Sequence, residues 1–238
     1  MKQLALFFAL CSSALAVTCT APCTATATFK GLNTTTSGAI TTSGNFLAMS
    51  VSYSTAVAPT ISDSKSNTWT ALTVTSDGGG ASNVIYYAKN ATVGASHTFT
   101  FTCTACSGMV VVASFSGIDT ASPFDLQNGA FSNSFTTLQT GSISPTAGYL
   151  VLVGFEFAET FNVTAITIDS GFTIIDQQWF SGGSNWGGAL AYKTAAGGAV
   201  NPTWTMPTSG ISGSTRIASF KVAATGFVPR RRGGGFIP

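Results

Sequence analysis

Short apolar runs separated by turn-forming residues recur along most of the chain. The runs are rich in Val, Ile, Phe, Tyr and Thr, whereas Gly, Asn, Ser and Pro cluster between them. This pattern predicts β-strands joined by turns, and helical periodicity is hard to find. The clearest predicted strands are Phe46–Tyr53, Val84–Lys89, Thr98–Thr102, Met109–Phe115, Tyr149–Phe157, Phe172–Trp179, Gly188–Lys193 and Arg216–Val222.

The later strands repeat the earlier ones in the same order and at a nearly constant spacing. Asn45–Met49 resembles Gly148–Leu152, and Val112–Phe115 resembles Ile217–Phe220. Tyr87-Ala88-Lys89 also matches Ala191-Tyr192-Lys193 in residue type. We therefore expect two related half-repeats of about six strands each, at about 27–127 and 146–222.

Two predicted strands are apolar at almost every position, Met109–Phe115 and Val151–Phe155. Such strands are expected to be buried on both faces or central in a sandwich. A repeat that cannot cover its own apolar face must pack on its partner. The pattern favours one jelly-roll-like antiparallel β-sandwich over 17–225. The alternative is two tandem sandwiches joined at Asn128–Pro145.

The composition limits the class of function. Charged residues make up 8% of the chain and apolar residues 45%, so a packed core is expected with a surface of Thr, Ser, Asn and Gly. The net charge is +2, and three positive residues cluster at Arg230–Arg232. The rest of the chain is therefore not expected to bind nucleic acid. The tail at 226–238 has no apolar period and is predicted to be disordered, either solvated or attracting anionic polymers.

The first residues are typical of a secretory signal peptide. Lys2 precedes an apolar run at Leu4–Leu10, and Ala14-Leu15-Ala16 forms a small-x-small cleavage site. We expect residues 1–16 to be removed and the mature chain, starting near Val17, to be secreted or held at the cell surface. No later segment has the roughly 20 apolar residues of a transmembrane helix.

Four cysteines remain after the signal peptide: Cys19, Cys23, Cys103 and Cys106. An even number in an exported chain predicts disulfides. We favour two bridges between the first strand and the 103–106 region, which would close long loops. Two local bridges, Cys19–Cys23 and Cys103–Cys106, are the alternative. A metal site is a third interpretation of these spacings, disfavoured by an oxidising compartment.

Five motifs resemble those of a group of poorly characterised exported domains from bacteria and their phages. They are Gly44–Leu47, Asp63–Trp69, Tyr86–Asn90, Ser116–Asp125 and Ala147–Leu150 with Gly171-Phe172. The resemblance covers nearly all of residues 27–222. It implies a jelly-roll-like or immunoglobulin-like sandwich in a surface setting, and it implies no catalytic residues.

The residues that catalysis needs are few. His97 is the only histidine, and no GxSxG nucleophile motif accompanies it, so we expect a surface or strand-edge histidine. Glu156 and Glu159 are the only glutamates that a glycoside hydrolase could use. Strand alternation places them on opposite faces, and Glu156 is expected where its strand reaches solvent. The sequence therefore predicts a protein that is not an enzyme.

The aspartates mostly occupy turn contexts. Asp63 and Asp77 precede Ser and Gly, which indicates turns in which a carboxylate accepts nearby backbone amides. Asp119 and Asp125 flank the turn at 120–124. We expect these two to cap the turn, with a structural calcium ion as the alternative. No other cofactor is expected.

The tryptophans are the best candidates for ligand binding, because an indole ring stacks on the C–H face of a sugar. Trp186 lies in a predicted loop, beside Asn185, and Trp179 and Tyr192 are expected nearby. For Trp186, ligand contact and packing onto the sandwich stay open. Trp69 and Trp204 lie in strand patterns and are predicted to be core residues.

Three functions follow from these expectations. The first is a secreted binding or adhesion module whose partner is an extracellular polysaccharide or a surface protein. The second is a structural building block of a surface layer, appendage or virion, since free strand edges can pair. The third, a glycoside hydrolase, ranks last.

Overall fold

A computed structural model of the chain describes residues 18–19, 27–55, 57–76, 80–158, 166–181 and 185–224. The regular structure of these residues is β-strand, which confirms the predicted all-β class. They contain no helix long and apolar enough to cross a membrane. The predicted signal peptide and tail lie outside the described residues, as do Cys23, Asp77 and Glu159.

The N-terminal half forms one antiparallel sheet of eight strands. They are β1 (Thr18–Cys19), β2 (Ala27–Thr36), β3 (Phe46–Tyr53), β4 (Thr60–Asp63), β5 (Thr70–Ala71), β6 (Thr75–Ser76), β7 (Ser82–Lys89) and β8 (Phe99–Ser116). Their order is β1-β8-β3-β7-β5, with β2 and β4 also paired to β8 and β6 paired to β7. The first part of β8 pairs with β4 and the last part with β3, so one long strand serves two layers.

The C-terminal half forms two antiparallel sheets. Its strands are β9 (Phe124–Phe135), β10 (Thr137–Gln139), β11 (Leu150–Ala158), β12 (Thr167–Ile168), β13 (Thr173–Ser181), β14 (Asn185–Thr194), β15 (Thr203–Thr205) and β16 (Ile211–Phe220). The larger sheet has the order β13-β14-β11-β16-β9 and the smaller one β10-β15-β12. Most of the stretch 128–145 lies in paired strands, in β9 up to Phe135 and in β10 at Thr137–Gln139.

The buried side chains form three cores. The N-terminal core lies on the outer face of β3, β7 and β8, and the C-terminal core on the outer face of β11, β14 and β16. Between the two main sheets lies the middle core, which includes Phe46, Phe115, Leu152, Leu190 and Phe220. Burial of each such side chain contributes about 1.5–3 kcal/mol, so the middle core joins the halves firmly.

The central strands are buried on both faces, as predicted. In β8, Val111 faces the middle core and Val112 the N-terminal core. In β11, Leu152 faces the middle core and Val153 the C-terminal core. This explains why these strands lack the apolar–polar alternation of a half-exposed strand.

Strands pair in the same order in the two halves. In the first half, β3 lies between β7 and β8, and β8 continues to β2. In the second half, β11 lies between β14 and β16, and β16 continues to β9. Short β4 pairs with the start of β8 as short β12 pairs with β15. A duplication as the origin of this likeness stays a prediction.

The favoured disulfide pairing is wrong for Cys103 and Cys106, because these two residues form the local bridge that was the alternative, with their Cα atoms 5.9 Å apart. Residues three apart in a straight strand are separated by about 10 Å, too far for a bridge. Here β8 bulges between Thr102 and Ser107, which pair with the nearby Thr34 and Leu32. Ala105 in this bulge has φ 51°, so the chain turns back and brings the two cysteines together.

Candidate functional site

A polar cleft of about 510 Å³ opens at one end of the N-terminal half. Three turns form it: the turn after β4, the turn after β7 and the turn before β9. The lining residues are almost all hydroxyl or amide side chains: Ser66, Asn67, Thr68, Thr70, Lys89, Asn90, Thr92 and Thr120. Ser66 and Asn90 have positive φ values of 58° and 49°, which turn the chain sharply at the rim.

Two side chains tie the turns of the cleft together. The Asn67 amide bridges to the turn after β7, since its Oδ1 accepts from the Thr92 N–H at 2.7 Å and its Nδ2 donates to the Thr92 carbonyl at 3.0 Å. The Lys89 ammonium donates to the Ala121 carbonyl, which joins the second turn to the third. The walls are therefore fixed by internal hydrogen bonds.

Other polar side chains of the cleft have unused hydrogen-bonding capacity. Thr68, Thr70, Asn90 and Thr120 are exposed. Their side chains make no hydrogen bond to another group within the described part of the chain. Each threonine hydroxyl and the asparagine amide can both donate and accept. The cleft thus presents a fixed set of neutral donors and acceptors to solvent.

Asp63 lies behind the wall of the cleft and holds the first turn. Its Oδ1 accepts from the Lys65 N–H at 2.8 Å and from the Asn67 Nδ2 at 3.1 Å, and its Oδ2 accepts from the Trp69 Nε1 at 2.7 Å. The predicted turn role of Asp63 is confirmed by the bond to Lys65. The bonds from Asn67 and Trp69 to this carboxylate were not predicted from the sequence.

His97 completes the network from the next turn. Its Nε2 lies 2.9 Å from Asp63 Oδ1, and its Nδ1 lies 2.8 Å from Thr42 Oγ1. The side chains of both His97 and Asp63 are fully buried, and the His97 ring stacks on Phe99. The expectation of a surface histidine is wrong, because the segment before β8 folds under the turns.

The surroundings of Asp63 favour its charged form. Burial raises the pKa of the carboxyl, but the hydrogen bonds from His97, Trp69, Lys65 and Asn67 together outweigh burial and hold the pKa below its ordinary value of 3.8. The carboxylate is therefore ionised at neutral pH. It is enclosed by donors and supports the first turn of the cleft.

The residues predicted to bind a sugar do not form one site. Trp186 lies in β14, not in a loop, and is 9% exposed, because β13 and β14 extend as strands to Ser181 and Asn185. Tyr192 lies six positions further along β14, about 20 Å away at the usual rise per residue. Trp179 pairs with Gly187 next to Trp186, and its ring lies under the Lys30 ammonium at 5.7 Å.

The two tryptophans predicted as core residues differ. Trp204 is fully buried, as predicted, and its ring stacks on Phe155 at 4.8 Å. Trp69 is half-buried against the N-terminal core, with its ring edge towards Phe99. Because its neighbours Thr68 and Thr70 line the cleft, Trp69 connects the cleft to this core.

The two candidate calcium ligands, Asp119 and Asp125, form hydrogen bonds with different partners. Asp119 Oδ1 accepts from the Ala121 and Ser122 backbone amides at 2.7 and 2.8 Å, and these bonds hold its pKa below the ordinary value. Asp125 Oδ2 accepts from the Ser219 hydroxyl at 2.8 Å. Within the described ranges, no three His, Cys, Asp or Glu residues are grouped as metal ligands. The turn-capping role is confirmed for Asp119 and is wrong for Asp125, which lies in β9 and bonds across to Ser219.

Glu156 is fully buried between the main sheets, so the expectation that it reaches solvent is wrong. Its Oε2 accepts from the Ser214 hydroxyl at 3.3 Å. Arg216, on the same face of β16, is also buried, and burial lowers its pKa to about 10. The second sheet covers this face of β11, which the sequence of β11 alone does not reveal.

A second groove, of about 490 Å³, lies at the other end of β4. It is lined by residues next to the disulfide and by residues around the start of β4: Thr55, Val57, Ala58, Thr60, Thr102, Cys103 and Thr104. Val57 in its lining is 77% exposed. This groove has fewer polar groups than the cleft.

No family model matches the chain, and no curated protein or solved structure matches it significantly. The resemblance to exported bacterial and phage domains thus stays a prediction that rests on the five motifs.

Proposed function

We propose that the protein is a non-catalytic, exported binding module that recognises a glycan at the polar cleft. One observation carries this proposal: a cleft of about 510 Å³ presents uncommitted hydroxyl and amide groups on turns that are fixed from behind. A sugar offers many hydroxyls, each of which can donate and accept. Fixed neutral groups suit such a ligand because little conformational entropy is lost on binding.

The charge of the cleft supports a polysaccharide more than a nucleic acid. Lys89 is the one charged residue among the lining residues, and its ammonium is already bonded to the Ala121 carbonyl. Nucleic-acid binding depends on several cations placed to neutralise phosphates. A neutral or weakly acidic glycan does not require them.

The buried state of the chemical groups supports a role without catalysis. His97 and Glu156 are fully buried, and Asp63 is surrounded by its donors. A glycoside hydrolase needs two carboxyl groups on either side of an accessible sugar. No such pair borders the cleft among the residues that the structure describes.

Affinity electrophoresis in gels that contain soluble neutral or acidic polysaccharides tests the proposal. The protein should be retarded by at least one polysaccharide, and the double variant Thr68→Ala/Asn90→Ala should lose about tenfold or more in affinity through lost hydrogen bonds. The matched control is Asn133→Ala/Thr136→Ala, at exposed positions in the other half. Equal retardation of both double variants would contradict the assignment of the cleft.

A structural role is the second candidate, and the edge strand β9 favours it. β9 pairs with β16 on one side only, and it carries Phe131 and Leu126, which are 56% and 38% exposed. Long edge strands with apolar side chains favour pairing with another chain. Light scattering at increasing concentration tests this role: Phe131→Lys should abolish assembly, whereas a wild-type monomer at high concentration would exclude it.

A further inference from the structure

One buried carboxylate holds two walls of the cleft. Asp63 binds Lys65, Asn67 and Trp69 in the first turn, and it binds His97 at the end of the segment that follows β7. Asn67 then links the first turn to Thr92 in that segment. Any change at Asp63 is therefore transmitted to both turns.

The hydrogen bonds define which ring nitrogen of His97 faces each partner. An ionised Asp63 can only accept, so His97 Nε2 carries a hydrogen and donates it to Asp63. His97 Nδ1 lies 2.8 Å from Thr42 Oγ1, which also accepts from the Gly94 N–H at 3.1 Å and lies 3.5 Å from the Gly94 carbonyl oxygen. Both ring nitrogens therefore have partners in the turns behind the cleft.

We propose that Asp63 and His97 are the positioning residues of the polar cleft and that acid opens the cleft by disrupting their contact. For ligand release, this inference rests on the proposed glycan binding. The groups that face Asp63 are all donors: backbone N–H, amide, indole and imidazole. A proton on Asp63 would place a donor among donors and break at least one of these bonds.

Charged side chains also lie around this contact. Lys65 on the first turn extends towards Gly94, next to Thr42. Lys89 and Asp119 lie on the other side of the cleft, where Lys89 is bonded to Ala121 and Asp119 to its own turn. Among the described residues that bond to Asp63, only Lys65 and His97 have side chains that can carry a positive charge. Protonation of Asp63 in acid therefore acts on the Asp63–His97 contact directly.

Two measurements without ligand test the positioning role. Because the chain has one histidine, nitrogen-15 spectra of the imidazole report His97 alone, and a hydrogen on Nε2 is expected. In hydrogen exchange, Asp63→Asn should speed exchange of the Lys65 and Asn67 amides about tenfold or more. The matched variant Asp169→Asn, at the corresponding turn of the second half, should leave these rates unchanged.

The acid dependence is measured on the wild-type protein, which avoids any folding defect of a variant. On acidification, the first-turn amides should lose protection while the far-ultraviolet circular dichroism is still native. The affinity for a polysaccharide that retards the wild type should fall over the same pH range. Loss of protection only together with global unfolding, or unchanged exchange in Asp63→Asn, would overturn the inference. A positive exchange result with no bound polysaccharide would refute the proposed function but not the positioning role.

Discussion

The two halves share their strand pairing but differ at the turn that follows the short strands β4 and β12. In the first half, Asp63 is buried and bonded to His97. In the second half, Asp169 is exposed and its Oδ1 accepts from the Thr203 N–H and the Ser170 hydroxyl. Asn201 lies two residues before β15, as His97 lies two residues before β8, whereas the isolated bridge Ile40–His97 is matched by Ile143–Val200. One framework thus supports two different turns.

The equivalent lysines extend the contrast. Lys89 reaches away to Ala121 and leaves the first cleft open. Lys193 donates to the Ser170 carbonyl at 2.7 Å, and its ammonium lies 5.5 Å from the centre of the Phe172 ring. It therefore covers its own turn. The strands therefore set the position of a site in each half, and a few turn residues determine whether that site is open to solvent.

Substitution of a buried tryptophan should change stability most, and it distinguishes a core residue from a residue next to the cleft. Trp204→Ala removes a fully buried ring from the C-terminal core and should cost about 3–5 kcal/mol in the free energy of unfolding. Trp69→Ala removes a half-buried ring and should cost less, while changing the cleft more. Urea denaturation measures both costs. A larger loss for Trp69→Ala would reverse this ranking.

The next effect compares the two aspartates directly. Asp63→Asn should cost about 1–3 kcal/mol in unfolding free energy, because one of the two acceptor oxygens becomes an NH2 donor that faces other donors. Asp169→Asn is the control and should change stability by no more than about 0.5 kcal/mol, since its site is exposed. Chemical denaturation at neutral pH gives both values. Equal losses would remove the distinction between the turns.

The same pair predicts a pH dependence. The pKa of Asp63 is lower in the folded state than its ordinary value, so its contribution is present above about pH 4 and is lost as the pH falls through the folded value. The stability difference between wild type and Asp63→Asn should therefore be constant near neutral pH and shrink below about pH 4. Denaturation curves across this range measure it. A difference that grows in acid would have the wrong sign.

A smaller effect concerns the bulge of β8 between Thr102 and Ser107. At the corresponding place in the second half, the chain is divided into two strands, β15 and β16. The double variant Cys103→Ser/Cys106→Ser opens a very short loop and should cost roughly 2 kcal/mol or less by the chain-entropy argument. Thermal unfolding of the oxidised wild type and the variant measures the cost. A loss well above this value would show that the bridge does more than close its short loop.

A histidine introduced before β15 in the second half should change the free energy of unfolding least. Asn201→His places an imidazole two residues before Thr203, whose N–H donates to Asp169. Because this carboxylate is exposed, the gain in stability should stay below about 1 kcal/mol. Denaturation at mildly acidic pH, where the imidazole is charged, measures it. A gain that matches the loss in Asp63→Asn would show that burial is not what distinguishes the first turn.

Much of the fold could be predicted because strand patterns are local. Phe46–Tyr53 was predicted with the observed bounds, and the two-sided burial of Val151–Phe155 followed from its unbroken apolar run. The site was predicted poorly. Asp63 and His97 are 34 positions apart, and only the pairing of β4 with β8 brings them together. A lone histidine with an aspartate and a tryptophan in turn motifs was the one signal that pointed to their network.

The strands, their turns and the apolar sides that had to be covered follow from local sequence, because backbone preference and side-chain alternation act over a few residues. What covers each side depends on long-range packing. That packing buried Glu156 and Trp186 under the opposite half and closed the bulge that joins Cys103 to Cys106. Alternation defines the two faces of a strand but not whether water or another sheet lies against them.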